Sequence, residues 1–387
     1  MSADPSSPLR FQRPELPSAA QIERYLGASR DARWLSNGGP CWQLLRDRLA
    51  ARTEAWCVPV ASGTVGLMAA VAAVLAMTPE RSDAREALLP SFTFPATAQA
   101  ARWAGLTPRL LDVDAHHWHL DPEQLEQELD ERRDRVACVL AVSAFGTPPP
   151  PRTRRRWEEA CRRAAVPLIV DSAAAFGAVA ADDVPIGRQG DVEVVSFHAT
   201  KPFAIGEGGA VFTRSPELCE QVERAINFGL GPDRRAQVAL GLNGKMSELH
   251  AAVGLAVLDD YDRVLAARRT AAQTLREAAG RTLAWQEECE RSTWQFVPVA
   301  FADRDARTAV ARRAEGHVET RSYYLPLHRM PAFRDAAKSS GGLGCTEALS
   351  ERLLCLPMAN DLDEDQLSRI AAVMDAADRV PSIAPQA

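Results

Sequence analysis

The chain has no C-x-x-C pair; its eight cysteines stand one by one between Cys41 and Cys355. Such spacing points to neither a zinc cluster nor a disulfide framework, and it fits a reducing cytoplasm. Positive charge is also in short supply. With 45 Lys and Arg against 51 Asp and Glu, the net charge is −6. Neither nucleic acid nor an anionic membrane attracts an acidic protein, so neither is expected as a partner. An anionic small molecule would need a locally basic pocket or a helix start. Long apolar runs are missing too. The longest, "VGLMAAVAAVLAM" from Val65 to Met77, is too short to cross a bilayer and reads as a buried helix. The opening "MSADPSSPLRFQRPELPS" has no apolar h-region, so no secretory leader is expected. No internal repeat is visible.

What is present is an ordinary globular composition, 46% apolar and 25% charged over 387 residues. That length suits one large domain with a smaller one, or two of similar size. Short apolar runs alternate with helical patterns through the first two-thirds. "WCVPVA" leads into a helix over 64–77, and "EALLPSF" precedes a helical stretch near 97–104. "TPRLLDVD" comes before "LDPEQLEQELDERR", where Asp121 can cap, Pro122 suits the first helical position and Gln124 completes a capping box. "VACVLAV", a basic helix near 153–164, "VPLIVD", "VEVVSF" and "GGAVFT" follow. This alternation predicts a mostly parallel sheet with helices on both faces. "TPPPP" at 147–151 reads as a stiff spacer. After Ser247 one long helix is expected, with Leu249, Val253, Ala256 and Val257 on one face. Beyond about 285 come "QFVPVAFA", a charged helix near 304–314, "YYLPLH" and a last helix near 363–378, a smaller α+β unit.

Four motifs fall where strands end, the place at which open α/β sheets bind ligands. In "ASGTVGLMAA", Ser62, Gly63 and Thr64 stand at a strand-to-helix junction. The free N–H groups of a helix start can cradle phosphate, and Gly63 lets the backbone approach closely. A hydroxyl N-cap explains the same residues equally simply. Asp171 closes "VPLIVD"; it can pair with a metal, a ribose hydroxyl or a protonated ring nitrogen, or it can cap the next segment. Phe94 in "PSFTFPATA" can lie against an aromatic cofactor ring or fill the core. Lys201 in "SFHATKPFAIGEGGAVFT" is no P-loop lysine, because there the glycines precede the lysine and here "GEGG" follows it. It is either a surface lysine or a desolvated amine that loses its charge easily and becomes a nucleophile. Jointly the four fit pyridoxal 5'-phosphate, which needs a lysine for its aldehyde, a carboxylate for its ring nitrogen, a phosphate cradle and a flat neighbour.

These motifs, with "LLDVDAHHWHLDP", "GLNGKMSELHAAVG" and "YYLPLHRMPAF" in the same order, resemble the DegT/DnrJ/EryC1/StrS family. Its members are pyridoxal-phosphate-dependent sugar aminotransferases of aspartate-aminotransferase fold type I. The likeness runs from "WLSNGGP" at 34 to "LPMANDL" near 362. It implies a mostly parallel seven-stranded sheet and a smaller C-terminal α+β domain. The implied division is an N-terminal arm over 1–40, a large cofactor domain over 41–285 and a small domain over 286–387. By the same resemblance Lys201 forms the internal aldimine and shuttles the proton, Asp171 binds the pyridine nitrogen and Phe94 stacks on the ring. Gly63, Thr64 and Ser196 hold the phosphate, joined by Asn243 of the partner subunit in a homodimer with shared active sites. His328 and Lys245 stand at substrate-side positions. One departure is Ala174, where most members have glutamine and a dehydrating branch has histidine. Alanine cannot hydrogen-bond the ring hydroxyl. That branch also lacks the reactive lysine, so Lys201 speaks against it.

The expected activity is therefore transfer of an amino group, from glutamate, to a nucleotide-linked keto-deoxysugar. A cyclitol ketone or another natural-product intermediate is the alternative substrate. A regulatory protein on a degenerate enzyme fold is the alternative class, and intact Lys201, Asp171 and Ser196 argue against it.

Overall fold

In the computed structural model, which describes residues 7–279 and 283–375, the short apolar runs become strands. They are β1 Trp56–Val60, β2 Glu86–Pro90, β3 Thr107–Leu111, β4 Val136–Val142, β5 Leu168–Asp171, β6 Val192–Ser196, β7 Gly209–Thr213, β8 Val297–Ala300, β9 Ala337–Lys338 and β10 Leu353–Leu356. The main sheet has the order β1-β7-β6-β5-β4-β2-β3-β9. Every neighbouring pair from β6 through β9 is parallel, while β7 runs antiparallel to both β1 and β6. This is the mostly parallel α/β architecture of fold type I, with one addition to the expected seven strands. The eighth, β9, is two residues of the C-terminal region laid along β3, too short to leave a pattern in the sequence.

Both faces of the sheet are covered, as all-apolar strands require. Within β4, Cys138 and Leu140 join the apolar cluster on one side, and Val139 and Ala141 join the cluster on the other. The first side is closed by the helix Gly63–Met77, which lies on β6 and β7 and is apolar around its whole circumference. The second is closed by the helices Pro122–Arg132 and Pro151–Ala164, with Trp157 fully buried between them. A further apolar cluster joins β8 and β10 to the helices Arg304–Ala314 and Glu364–Asp375, and Ala271, Ala272 and Leu275 reach into it. Of the helix expected near 363–378, positions 376–378 lie outside the described residues.

Three local expectations change. The single long helix is two, Glu248–Leu258 and Tyr261–Ala278, broken at Asp259 and Asp260. Asp259 is engaged by Arg24, Arg48 and Tyr25. Tyr261 restarts the chain toward the core, where its hydroxyl donates to the Phe176 carbonyl at 2.6 Å. In the first of these helices Ala256 is buried as part of a side that also holds Ala251, Ala252, Leu255 and Leu258, whereas Leu249 is 55% exposed. The capping box at Asp121 is half made. Asp121 accepts from the Glu123 N–H at 2.8 Å, but Gln124 turns to the Asp112 N–H at 3.0 Å. The run 147–151 is no mere spacer. Thr147 is buried and donates to Gln286, and Pro151 opens a helix as its first residue.

Candidate active site

The carboxyl ends of β4, β5 and β6 open onto a cavity of about 510 Å³. A larger groove, about 780 Å³, lies at the amino ends of the same strands, beside Pro167, Leu168 and Asp191. No lysine is among the residues that line it, so the chemistry belongs to the smaller one.

Sequence-adjacent residues build one wall of that cavity. Ser62 caps the helix Gly63–Met77 by accepting from the Val65 N–H at 3.2 Å, so the simple capping reading holds for Ser62. The N–H groups of Gly63 and Thr64 at this helix start have no intrahelical acceptor. A Cβ added at Gly63 would lie 2.7 Å from Ser196 Cβ and 3.1 Å from Ser196 Oγ. Only glycine lets the end of β6 and this helix start close on each other, and the result is a small cradle of N–H and hydroxyl donors.

Asp171, the last residue of β5, is 5% exposed. Its carboxylate accepts from Thr97 Oγ1 at 2.7 Å and from the Ala173 N–H at 3.1 Å. Burial pushes its pKa up, and those two hydrogen bonds and the Lys201 charge oppose the rise. Lys201 sits in the turn between β6 and β7, its Nζ within 3.4 Å of Gln295 Oε1. Burial lowers its pKa from 10.5 to about 8, against the pull of Asp171. An amine in that range exists in both protonation states near neutral pH, which a nucleophile or proton shuttle needs. Phe94 is not a core residue. It is 58% exposed at the cavity mouth, at the N-cap of the helix Pro95–Trp103.

The structure thus brings together Gly63, Thr64, Phe94, Asp171, Ser196 and Lys201. Three other named positions are not at this cavity. Asn243 is exposed and bridges to Asn227. Lys245 donates to Asn227 Oδ1 at 3.2 Å and lies 4.5 Å over the Phe228 ring. His328 is held with Nδ1 2.8 Å from Ser91 Oγ and Nε2 3.2 Å from Glu347 Oε1, and burial lowers its pKa.

Sequence reasoning passed over the far wall. Gln12, Gln295, Phe296, Tyr323 and Tyr324 line it. Phe11 stacks on Phe296 at 4.7 Å, and Phe296 on Tyr323 at 5.5 Å. Tyr324 stacks on Phe145 at 4.9 Å. The "YYLPLH" run offered only its histidine as a site residue, and no local pattern ties residues 12 and 295 to a cleft built by 63–201.

A match to the model of the DegT/DnrJ/EryC1/StrS aminotransferase family spans residues 18–375. The chain belongs to this family. It is 34% identical to Protein Rv3402c of Mycobacterium tuberculosis, over 95% of this chain and 90% of that one. It is 28% identical to the dTDP-4-amino-4,6-dideoxy-D-glucose transaminase of Shigella dysenteriae, over 95% and 98% respectively. Its fold is similar to that of DesI, solved in the presence of its TDP-sugar product, with a TM-score of 0.85 and 31% identity over 96% of this chain and 94% of DesI. The family member described here is a pyridoxal-phosphate-dependent aminotransferase. Its cavity fits that cofactor on its own evidence: a cradle that a Cβ at Gly63 would fill, a buried acid, and an amine whose burial favours the neutral form.

Proposed function

We propose that this aminotransferase moves an amino group from glutamate to the ketone of a nucleotide-linked deoxysugar. The observation that carries the site assignment is Lys201, its amine held in the cavity at a pKa of about 8 in the field of the buried Asp171. When bound, pyridoxal phosphate would supply an amine-reactive aldehyde and an electron-accepting ring. Lys201 would hold the cofactor through its amine and move the proton at the reacting carbon. Asp171 would hold the ring nitrogen, and Thr97 keeps the carboxylate aimed by donating to it. Gly63, Thr64 and Ser196 would hold the phosphate through helix-start N–H groups and a hydroxyl. Phe94 would cover one ring face. The far wall excludes water once the sugar is seated.

The sugar half of this reading draws on the Shigella enzyme and DesI, whose names and ligand concern dTDP- or TDP-linked sugars. The same reading makes the protein a homodimer in which Asn243 of the partner subunit completes the phosphate site, with Lys245 and His328 on the substrate side. The large apolar side chain of Phe228, 52% exposed beside the Asn227–Asn243 bridge, supports a covering partner. The division into an arm over 1–40, a large domain over 41–285 and a small domain over 286–387 belongs to this reading too; 1–6, 280–282 and 376–387 lie outside the described residues.

The test loads the enzyme in its pyridoxamine form and screens ketosugar nucleotides and cyclitol ketones for loss of the pyridoxamine absorbance. Turnover of a ketosugar nucleotide is expected. Turnover of an inosose with every sugar nucleotide inert would overturn the substrate assignment.

A further inference from the structure

From the end of β4, past β5, to β6 runs a chain of buried groups that amine transfer, as described, does not use. Ser143, immediately after β4, lines the cavity. Its Oγ is 2.9 Å from Ser172 Oγ. The Ser172 hydroxyl donates in turn to Glu193 Oε1. Glu193 Oε2 accepts from the Gly187 N–H at 2.6 Å and the Gln189 N–H at 3.0 Å. Glu193 is wholly buried, so these three donors account for its solvation.

The pattern has a direction. An ionised carboxylate only accepts, and a serine hydroxyl has one proton. Ser172 commits its proton to Glu193, so its oxygen must accept from Ser143. Ser143 then has only lone pairs left for the cavity.

Strand order says what those lone pairs would meet. Ser196, Asp171 and Ser143 stand at the ends of β6, β5 and β4, which are successive neighbours in the sheet. Adjacent strands lie about 4.8 Å apart. A pyridine ring with its phosphate arm toward Gly63 and Ser196 and its nitrogen at Asp171 turns its opposite edge toward β4, and that edge bears the ring hydroxyl. Ala174 offers only a methyl group there, and its carbonyl is already taken by Thr293 Oγ1 at 2.5 Å.

We infer that Ser143 is a cofactor-binding residue that accepts a hydrogen bond from the ring hydroxyl, and that Ser172 and Glu193 are positioning residues that fix its direction. The inference rests on the cofactor placement proposed above. Burial raises the Glu193 carboxyl to about 7, and Arg154, from the helix Pro151–Ala164, is the charged group that counters the rise. Measurements at about pH 8.5 therefore read the ionised form.

The protein, stripped of cofactor, is titrated with pyridoxal phosphate and with its 3-deoxy analogue, which lacks the ring hydroxyl. Wild type should prefer pyridoxal phosphate by about tenfold, the worth of one hydrogen bond, and Ser143→Ala should lose that preference. In Glu193→Gln the amide carbonyl can serve Gly187 and Gln189 while its NH2 faces Ser172, so the chain reverses and Ser143 donates to the ring oxygen. The pH midpoint of the bound cofactor's absorbance should then fall by about one unit. Ser172→Ala, which frees the Ser143 proton, should move it the same way if Glu193→Gln fails to fold. Borohydride reduction followed by peptide mapping separates two failures. If no pyridoxyl group is fixed on the Lys201 peptide of wild type, the placement falls and takes this inference with it. If it is fixed there, and wild type and Ser143→Ala discriminate equally, the inference alone is overturned. An unmoved midpoint in both positioning variants overturns the direction.

Discussion

Lys201 and Asp171 answer each other electrostatically. Burial works against the charged form of both, raising the acid and lowering the amine, and each charge partly rescues the other. The Lys201 amine in the cofactor-free protein should therefore acylate with a pH midpoint near 8, well below the 10.5 of a free lysine. Competitive labelling read by peptide mass spectrometry measures this. The sign of the stability effect follows. The unfolded chain keeps this proton up to about 10.5, while the folded chain releases it near 8. Between those values the unfolded state binds more protons, so stability of the cofactor-free protein should rise with pH across that window. Lys201→Met should flatten that rise in denaturant melts; an unchanged slope would mean the amine is solvated. Gln295 suits this arrangement because it is neutral. Its Oε1 faces the amine, and its Nε2 donates to the Thr200 carbonyl at 3.1 Å, so it positions Lys201 without restoring its charge.

At the scale of elements, the junction of the helix Gly63–Met77 with β6 is where sequence and site meet most tightly. A glycine, a serine cap and an apolar helix were all legible in "ASGTVGLMAA" because each acts within one turn of chain. What the string could not show is that Ser196 approaches from β6, so that a Cβ at Gly63 would sit 2.7 Å from its Cβ. Gly63→Ala should cost about 1–3 kcal/mol of stability by overpacking, in addition to weakening cofactor binding. Chemical denaturation and equilibrium dialysis read the two effects separately. A variant as stable as wild type with normal affinity would mean the junction opens freely. The break at Asp259 and Asp260 shows the reverse case. Helical periodicity runs through both residues, yet tertiary partners, Arg24 and Arg48 for Asp259 and Phe176 for the Tyr261 hydroxyl, end one helix and restart another.

At the scale of the whole molecule, the site is closed by chain segments remote in sequence. The segment 9–12 pairs Leu9 with Val318, stacks Phe11 on Phe296 and brings Gln12 to the cavity. If Asn243 serves the neighbouring site, mixing Asn243→Ala subunits with Lys201→Ala subunits should rebuild one intact site per mixed dimer and recover up to about half of wild-type activity per mixed dimer. Purified mixed dimers without activity would remove Asn243 from the site. Among the described residues no helix is long and apolar enough to cross a membrane, in keeping with the short run at 65–77.

The sequence by itself determined the family, the order of the seven main strands' apolar runs, and the lysine and acid at two of their ends. Those features are local: a strand's composition, a helix start, a residue type at a strand end. Only the tertiary structure decided which residues complete the cavity. Gln295, Tyr324 and Gln12 reach it by packing of distant segments, and Ser143 acquires a direction only because Ser172 and a buried Glu193 stand behind it. A hydrogen-bond chain across three strands has no period in the sequence, since its members meet through sheet register rather than through spacing along the chain.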